Sequence, residues 1–190
     1  MITPTNITNY NRTQAELEEF ILFAILVAGK TAKTQAKKLE EFLSDIEGET
    51  PFAKLTNLVM NSETFQAEAL DDKMRKHKLG QYLRLKVAFL GVLMHRNKLD
   101  TITLDELESL HGIGPKTARF FLLHSRPNQK IAALDTHILK FMSEKGYKVP
   151  KTTPSKKKYG QIEKDFLTEC EKAGKDVAEM DLEIWKSYSK

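Results

Sequence analysis

The chain has 190 residues, of which 41% are hydrophobic and 29% charged, and its formal net charge is +4. This balance excludes an intrinsically disordered protein, and the mild positive charge suits a polyanionic partner without identifying one. Cys170 is the single cysteine, which excludes an internal disulfide and a four-cysteine iron–sulfur cluster. The longest apolar run, residues 20–28, is too short to span a membrane. We therefore expect a cytoplasmic protein with no membrane partner.

Helical signals recur along the first hundred residues, and strand signals are scarce. Thr13 or Asn11 is placed to cap a helix that ends at Gly29, and its second half is apolar on every side, which predicts a buried central helix. Further helices are predicted at 34–43, at 52–60 behind Pro51, from residue 62 onward, and at 83–94. No alternating run of β-branched residues is long enough for a sheet, so the predicted fold class is all-α.

The second part of the chain alternates loops with helices. Residues 125–130 and 148–155 are predicted loops, and a short apolar stretch at 131–134 leads to Asp135, which begins a helix. Two further helices are predicted at 156–173 and 176–188. Six lysines lie between residues 145 and 158, and they suit either a solvated loop or a surface that contacts a polyanion.

The stretch 102–123 contains the most informative pattern. Thr103 and Glu106 have the spacing of a capping box, and the segment 111–114 then forms a tight hairpin with two glycines before Pro115 starts the next helix. Such a hairpin presents backbone N–H groups at a helix N-terminus, which can bind a phosphate. A helix–turn–helix corner with no ligand uses glycine in the same way, so the hairpin alone does not decide between the two.

A longer comparison of motifs identifies a resemblance. Leu-His-Gly-Ile-Gly-Pro-Lys-Thr-Ala at 110–118 resembles the L-P-G-V-G-x-K-T-A helix-hairpin-helix of the endonuclease III and 8-oxoguanine DNA glycosylase superfamily. Leu-Asp-Thr-His-Ile at 134–138 resembles the V-D-T-H-V segment that follows it, and Asp135 lies 19 positions after Lys116 (135 − 116), close to the family spacing. Segments 23–28 and 79–86 also resemble family motifs, so the match runs from about residue 13 to residue 145.

The tail decides which branch of the superfamily is most similar. The four C-terminal cysteines of endonuclease III are absent, and Leu-Glu-Ile-Trp at 182–185 after Asp181 resembles the end of the small archaeal and bacterial 8-oxoguanine DNA glycosylases. The resemblance implies a two-lobed helical fold without an iron–sulfur cluster. The expected lobes are 30–130, with the helix-hairpin-helix at 103–124, and 1–29 together with 131–190.

The resemblance implies a bifunctional DNA glycosylase and AP lyase that excises an oxidised base, 8-oxoguanine above all, through a lysine Schiff base and β-elimination. The alternatives are an endonuclease III-like glycosylase for oxidised pyrimidines, a glycosylase without lyase activity, and a helix-hairpin-helix module that only binds DNA. The expected partner is double-stranded DNA containing a damaged base, so the protein should associate with the nucleoid. A monomer is expected, with no cofactor and no metal site.

Lys116 and Asp135 are the predicted catalytic residues. Lys116 lies in the first turn of a helix, where the helix-end potential and partial burial disfavour an ammonium, so we expect a lowered pKa and a free amine that attacks C1′ of a nucleotide. The alternative is a surface lysine that contacts a phosphate. Asp135 is also a good N-cap, and backbone N–H bonds are expected to keep its carboxylate ionised beside the cationic sugar.

Other candidates follow from the need to bind DNA and to hold a flipped base. The predicted DNA-binding residues are His111, Gly112, Ile113, Gly114 and Lys30, the last in the segment where relatives fill the gap left by the base. The candidates for the base pocket are Tyr82, Trp185 and Lys190; for Tyr82 and Trp185 the alternative is packing in the core. His137 is interpreted as structural.

Overall fold

The protein is described by a computed structural model that covers residues 2–60 and 68–188. All regular structure in these ranges is helical, which confirms the predicted all-α fold. Two short 3-10 turns, Pro4–Asn6 and Arg96–Lys98, accompany the α-helices, whose bounds are α1 (Gln14–Leu26), α2 (Ala32–Ser44), α3 (Pro51–Met60), α4 (Glu68–Lys76), α5 (Tyr82–Leu93), α6 (Leu104–Ser109), α7 (Pro115–Ser125), α8 (Thr136–Glu144), α9 (Lys156–Ala173) and α10 (Val177–Tyr188).

The predicted and observed helices agree closely, with one exception in the middle of the chain. Pro51 occupies the first position of α3, where its missing N–H removes no helical hydrogen bond. The helix expected from residue 62 lies outside the described residues, and α4, which begins at Glu68, was not predicted. Its nine residues contain two buried apolar side chains, Leu70 and Met74, too few for a clear helical period. None of the helices in the described ranges is long and apolar enough to cross a membrane.

The chain forms two compact units. The first contains Met1–Pro4 and Asn11–Ile113, and the second contains Thr5–Tyr10 and Gly114–Lys190. The expected lobes place the boundaries elsewhere, because α1 was assigned to the lobe of the C-terminal helices and α7 to the central lobe. In the structure α1 packs against α2, α3 and α5, whereas α7 packs against α10. The helix-hairpin-helix therefore spans the boundary between the units.

The first unit is built around α1. Thr13 and Glu16 form a capping box, in which the Thr13 N–H donates to Glu16 Oε2 at 2.8 Å. Residues 20–26 are all buried, which confirms the predicted central helix. The carboxylate of Glu18 is also buried, and it accepts a hydrogen bond from the Phe52 N–H at 2.9 Å, at the N-terminus of α3. A negative group at that helix end is favourable, so this buried charge is compensated.

The second unit packs α7, α8, α9 and α10 around a shared apolar core. The α9 helix stabilises the extended stretch before α8 through one tyrosine. The hydroxyl of Tyr159 donates to the Ala132 carbonyl and accepts from the Leu134 N–H, both at 2.8 Å, and Tyr159 is buried. The stretch 132–134 is buried as well. The position of Asp135, the next residue, is therefore fixed by hydrogen bonds to a neighbouring helix.

Candidate active site

The hairpin of the first unit is shaped by close packing on α5. The capping box of α6 is formed as predicted, with the Thr103 N–H donating to Glu106 Oε2 at 2.7 Å. Gly112 has φ +88°, and a Cβ at this position would lie 2.8 Å from the Arg84 carbonyl oxygen and 3.0 Å from Ala88 Cβ. Gly112 is therefore required both by its backbone conformation and by the approach of α5.

Gly114 differs from Gly112. It is the N-cap of α7 with an extended φ of −95°, and a Cβ would meet no heavy atom within 4 Å. Neither backbone conformation nor packing within the described residues requires a glycine here. Gly114 and His111 are exposed, Gly112 is half-buried and Ile113 is buried, so Ile113 serves the fold rather than the surface.

Arg84 holds this hairpin, and the sequence analysis did not identify it. Its guanidinium donates to the Gly112 carbonyl at 3.0 Å, to the Ile25 carbonyl at 2.9 Å and to Gln81 Oε1 at 2.8 Å. These bonds join the hairpin to the end of α1 and the start of α5. The planar fork of arginine can serve several acceptors at once, which explains the residue type.

Lys116 is the second residue of α7, in the second unit. Its side chain is half-buried, and Nζ lies 4.7 Å from the centroid of the Phe120 ring. Among the described residues, Lys116 makes no hydrogen bond and no ion pair. The Phe120 ring in turn lies 4.9 Å from the ring of His124. These three side chains are spaced by four residues each and share one face of α7.

Asp135 is the N-cap of α8, as predicted. One carboxylate oxygen accepts hydrogen bonds from the backbone N–H groups of His137 at 2.8 Å and Ile138 at 2.9 Å. The segment before it is also fixed by Glu163 of α9, which accepts from the Ala132 N–H at 2.8 Å. Asp135 is half-buried, and its charge interacts with that of Lys116. The structure thus brings the two predicted catalytic residues together.

A second carboxylate, Asp181 of α10, belongs to the same cluster. It is buried, with 7% of its surface exposed, and its Oδ2 lies 3.5 Å from His124 Nε2 without forming a hydrogen bond. The other ring nitrogen of His124, Nδ1, is 2.8 Å from the hydroxyl of Thr8. The charge of Asp181 acts on both Lys116 and Asp135.

The environment changes the protonation of both predicted catalytic groups. Burial lowers the pKa of the Lys116 ammonium, although Asp135 and Asp181 act in the opposite direction. Burial raises the pKa of the Asp135 carboxyl, and the negative charge of Asp181 raises it further. The backbone bonds that were expected to keep Asp135 ionised therefore do not set the direction of its pKa shift. The bond from Ile138 and the charge of Lys116 do lower this pKa, but the two opposing effects are larger.

The remaining predicted residues occupy different environments. Lys30 is half-buried in the first unit, where Nζ donates to the Leu79 carbonyl at 2.6 Å and burial lowers its pKa to about 8. Tyr82 is half-buried under the guanidinium of Arg75, and Trp185 is half-buried on α10. Lys190 lies outside the described residues.

Two further expectations concern histidine and metal binding. The ring of His137 stacks on Tyr188 at 6.1 Å and 9°, which agrees with a structural role. In residues 2–60 and 68–188, no group of three His, Cys, Asp or Glu side chains is placed to hold a metal ion.

The six lysines between residues 145 and 158 are all exposed, which agrees both with a solvated loop and with a surface that contacts a polyanion.

Asp181 and His124 were not identified as site residues from the sequence, although each gave a signal. Asp181 lies at helical spacing among the buried residues Val177, Ala178 and Ile184, where a carboxylate needs a reason to be present. His124 follows Lys116 by eight residues, two turns along the same helix face. A search for polar residues on apolar helix faces would have found both.

Known proteins share the sequence pattern and the fold of this chain. The sequence profile described as 8-oxoguanine DNA glycosylase matches residues 6–175, which is most of the chain. The crystal structure of the Methanocaldococcus jannaschii 8-oxoguanine glycosylase/lyase in complex with a 15mer DNA containing 8-oxoguanine has a TM-score of 0.71 and 24% identity, and the match covers 94% of this chain and 83% of that one.

Two other crystal structures are similar. A structure of the Methanocaldococcus jannaschii 8-oxoguanine DNA glycosylase has a TM-score of 0.72 at 22% identity and covers 97% of this chain and 84% of that one. The 8-oxoguanine DNA glycosylase of Thermotoga maritima has a TM-score of 0.67 at 22% identity, with 93% and 81% coverage. At these identities the structures establish the helical glycosylase fold, and the sequence profile establishes the family.

These matches confirm the resemblance seen in the hairpin and in the segment around Asp135. They also confirm the predicted class of enzyme, a DNA repair glycosylase, and they favour 8-oxoguanine over oxidised pyrimidines as the excised base. The chain belongs to the 8-oxoguanine DNA glycosylase family.

Proposed function

We propose that the protein excises 8-oxoguanine from double-stranded DNA with Lys116 as the nucleophile, and that it then cleaves the strand as an AP lyase. Two matches support the assignment, because the family is that of 8-oxoguanine DNA glycosylases and one similar structure is a glycosylase/lyase bound to DNA that contains the lesion. The observation that carries the mechanism is the environment of Lys116. Its amine has no hydrogen bond or ion pair in the described part of the chain, and burial lowers its pKa.

The proposed reaction uses this amine directly. The lone pair of Lys116 Nζ forms a bond to C1′ of the damaged nucleotide, while the glycosidic bond breaks and its electrons leave with the base. Opening of the sugar ring then gives a Schiff base between Lys116 and the former C1′. Removal of a C2′ proton expels the 3′ phosphate by β-elimination, which cleaves the strand. Water then hydrolyses the Schiff base, which releases the sugar remnant as an aldehyde and frees the Lys116 amine.

Asp135 has an electrostatic role in this proposal. Positive charge develops on the sugar as the base leaves, and a nearby carboxylate stabilises that charge most strongly where water is excluded. The two backbone bonds from α8 hold the carboxylate in place, so little reorganisation is needed during the reaction. The hairpin is the proposed phosphate-binding element, with Gly114 exposed at the start of α7.

A panel of duplexes tests the substrate and the mechanism together. Duplexes containing 8-oxoguanine, an oxidised pyrimidine or undamaged guanine are scored for base release and strand cleavage, with and without borohydride. We expect release and covalent trapping with 8-oxoguanine. Release of the oxidised pyrimidine alone would favour the endonuclease III-like alternative. DNA binding without any base release would indicate a helix-hairpin-helix module that only binds DNA.

The variant Lys116→Gln tests whether Lys116 is the nucleophile or a lysine that only contacts a phosphate. It should lose trapping and slow base release by about 10⁴-fold or more, the order seen when a catalytic nucleophile is removed. Its affinity for the lesion duplex should change little, because the amine contacts the sugar. Lys86→Gln is a matched control on α5 in the first unit and should trap normally. Trapping that persists in Lys116→Gln would contradict the assignment.

A further inference from the structure

We propose that Asp181 is a third charged residue of the active site, a positioning residue whose negative charge sets the protonation of Lys116 and Asp135. This inference rests on the proposed function, because it concerns the same amine. The candidate base-pocket residue Trp185 is on the same helix, but Asp181 itself was not among the predicted site residues. The inference rests on the burial of Asp181, on the residues around it and on the charges that Lys116, Asp135 and Asp181 bring to the site.

The placement of Asp181 is unusual for a carboxylate that only stabilises the fold. It is 7% exposed, yet Oδ2 accepts no hydrogen bond among the described residues. Buried carboxylates in a scaffold normally accept bonds from backbone N–H groups or arginines, as Glu18 and Glu163 do in this protein. Asp181 instead faces His124 Nε2 at 3.5 Å, and the Thr8 hydroxyl holds the opposite side of that ring at 2.8 Å.

The helix packing brings Asp181 to the catalytic pair. The α10 helix packs against α7, α8 and α9, all in the second unit. Lys116 and His124 lie on one face of α7, and Asp135 begins α8. The charge of Asp181 favours the ammonium form of Lys116 and disfavours the ionised form of Asp135. Both effects follow from the sign of a carboxylate at short range.

The other titratable groups around Asp181 do not replace this effect. From α9, Tyr159 and Cys170 sense its charge, but burial raises both of their pKa values, that of Cys170 to about 12, so both are neutral at neutral pH. From α8, the charge of His137 acts on Asp135. From α7, Lys116 and His124 face Asp181, and Arg119 of the same helix acts with Glu163 of α9 on Tyr159.

Charge balance gives the functional consequence. With Lys116 as an ammonium, one positive charge interacts with two carboxylates, Asp135 and Asp181. Burial lowers the pKa of Lys116, and the charge of Asp181 opposes that decrease. Once the amine is free, the second carboxylate adds negative potential where the cationic sugar forms. Asp181 therefore sets the pH at which the nucleophile becomes available.

The test uses a duplex with a preformed abasic site, so that base excision is bypassed. The full chain is mixed with saturating DNA and cyanoborohydride, and the initial rate of covalent trapping is measured against pH. The variants are Asp181→Asn, Asp181→Glu as the charge-preserving rescue, and Glu183→Gln as a matched control. Glu183 is an exposed carboxylate of the same helix that pairs with Lys175.

We expect the pH midpoint of trapping to fall by about one unit in Asp181→Asn, the size that loss of one nearby opposite charge produces. The direction is downward because the lost carboxylate favours the ammonium form of Lys116. Asp181→Glu and Glu183→Gln should keep the wild-type midpoint. Thermal melting identifies any variant that fails to fold, and Asp181→Ser then replaces the asparagine variant in the same assay.

The other possible outcomes would contradict either the inference or the proposed function. A midpoint in Asp181→Asn that equals or exceeds that of the wild type would overturn the inference, as would an equal shift in Glu183→Gln. A fall in trapping rate at every pH, without a change of midpoint, would mean that Asp181 only supports the fold. If the wild type gives no trapping that depends on Lys116, the proposed function fails first, and the two failures are thus distinguished.

Discussion

Lysines of the two units differ in their hydrogen bonds. Two lysines of the first unit donate to backbone carbonyls, whereas Lys116 of the second unit donates to none among the described residues. In the first unit, Lys30 donates to the Leu79 carbonyl at 2.6 Å, beyond the end of α4, and Lys54 donates to the Leu43 carbonyl at 2.8 Å, in the last turn of α2. In the second unit, Lys116 lies in the first turn of α7 with no such bond in the described part of the chain. Cations stabilise the C-terminal end of a helix and destabilise its N-terminal end.

Under the proposed function, this difference separates lysines that donate to backbone carbonyls from a lysine that acts as the nucleophile. Lys54 satisfies a carbonyl in the last turn of α2, which a helix leaves without a partner, and Lys30 satisfies the Leu79 carbonyl in the loop between α4 and α5. Lys116 satisfies none, and its burial is unfavourable for a charge, so its position costs stability. Changes around Lys116 should therefore alter rates more than stability, whereas changes around the hairpin of the first unit should alter stability or DNA affinity more than the chemical step.

After Lys116→Gln, the largest expected effect is that of Asp135→Asn. Base release should slow by about 10² to 10³-fold, the usual cost of removing one electrostatic contact to a transition state. Stability should change little, because asparagine caps helices about as well as aspartate. Single-turnover excision of 8-oxoguanine and thermal melting measure the two quantities. A normal rate in a folded variant would remove Asp135 from the mechanism.

Gly112→Ala should give the largest loss of stability. Its φ of +88° and the 2.8 Å approach of the Arg84 carbonyl leave no room for a methyl group. We expect the free energy of unfolding to fall by about 1–3 kcal/mol, the usual cost of a strained residue, as measured by urea denaturation.

Gly114→Ala is the matched control in the same hairpin. Its extended φ and open surroundings predict an unchanged or slightly raised free energy of unfolding. If the exposed hairpin approaches a phosphate, the added methyl group should weaken binding to duplex DNA. Equal destabilisation by the two substitutions would contradict the packing account of Gly112.

Arg84→Lys should destabilise the fold less than Gly112→Ala. A lysine cannot serve the carbonyls of Gly112 and Ile25 together in the planar geometry of a guanidinium, so we expect the free energy of unfolding to fall by about 1–2 kcal/mol. Arg75→Lys, an exposed partner of Asp71, is the control and should cost less. The excision rate at saturating DNA should stay normal in both. A slower chemical step in Arg84→Lys would contradict the expectation that changes around the hairpin affect stability or DNA affinity more than the chemical step.

Most of the fold was predictable because its signals are local. The capping boxes at Thr13 and Thr103, the proline at the start of α3 and the N-cap Asp135 depend on residues three or four apart. The boundaries of the two units differ from those of the predicted lobes. The reason is that α1 is apolar on all sides, so its sequence pattern does not show which helices pack around it.

The proposed catalytic pair was identified from its motif, whereas its electrostatic environment could not be predicted. The bonds that hold Asp135 follow from its capping position, but the raised pKa depends on burial and on Asp181, 46 positions later in the chain (181 − 135). Arg84 was missed for the same reason, because its acceptors Ile25 and Gly112 are distant in sequence. Such contacts are set by packing and leave no local pattern.

Identification of the trapped residue tests the central claim most directly. The protein is incubated with an 8-oxoguanine duplex and borohydride, the covalent complex is digested, and the peptide that carries the sugar remnant is sequenced by mass spectrometry. The account predicts one adduct, on Nζ of Lys116. An adduct on another amine, or base release that leaves no adduct, would contradict it.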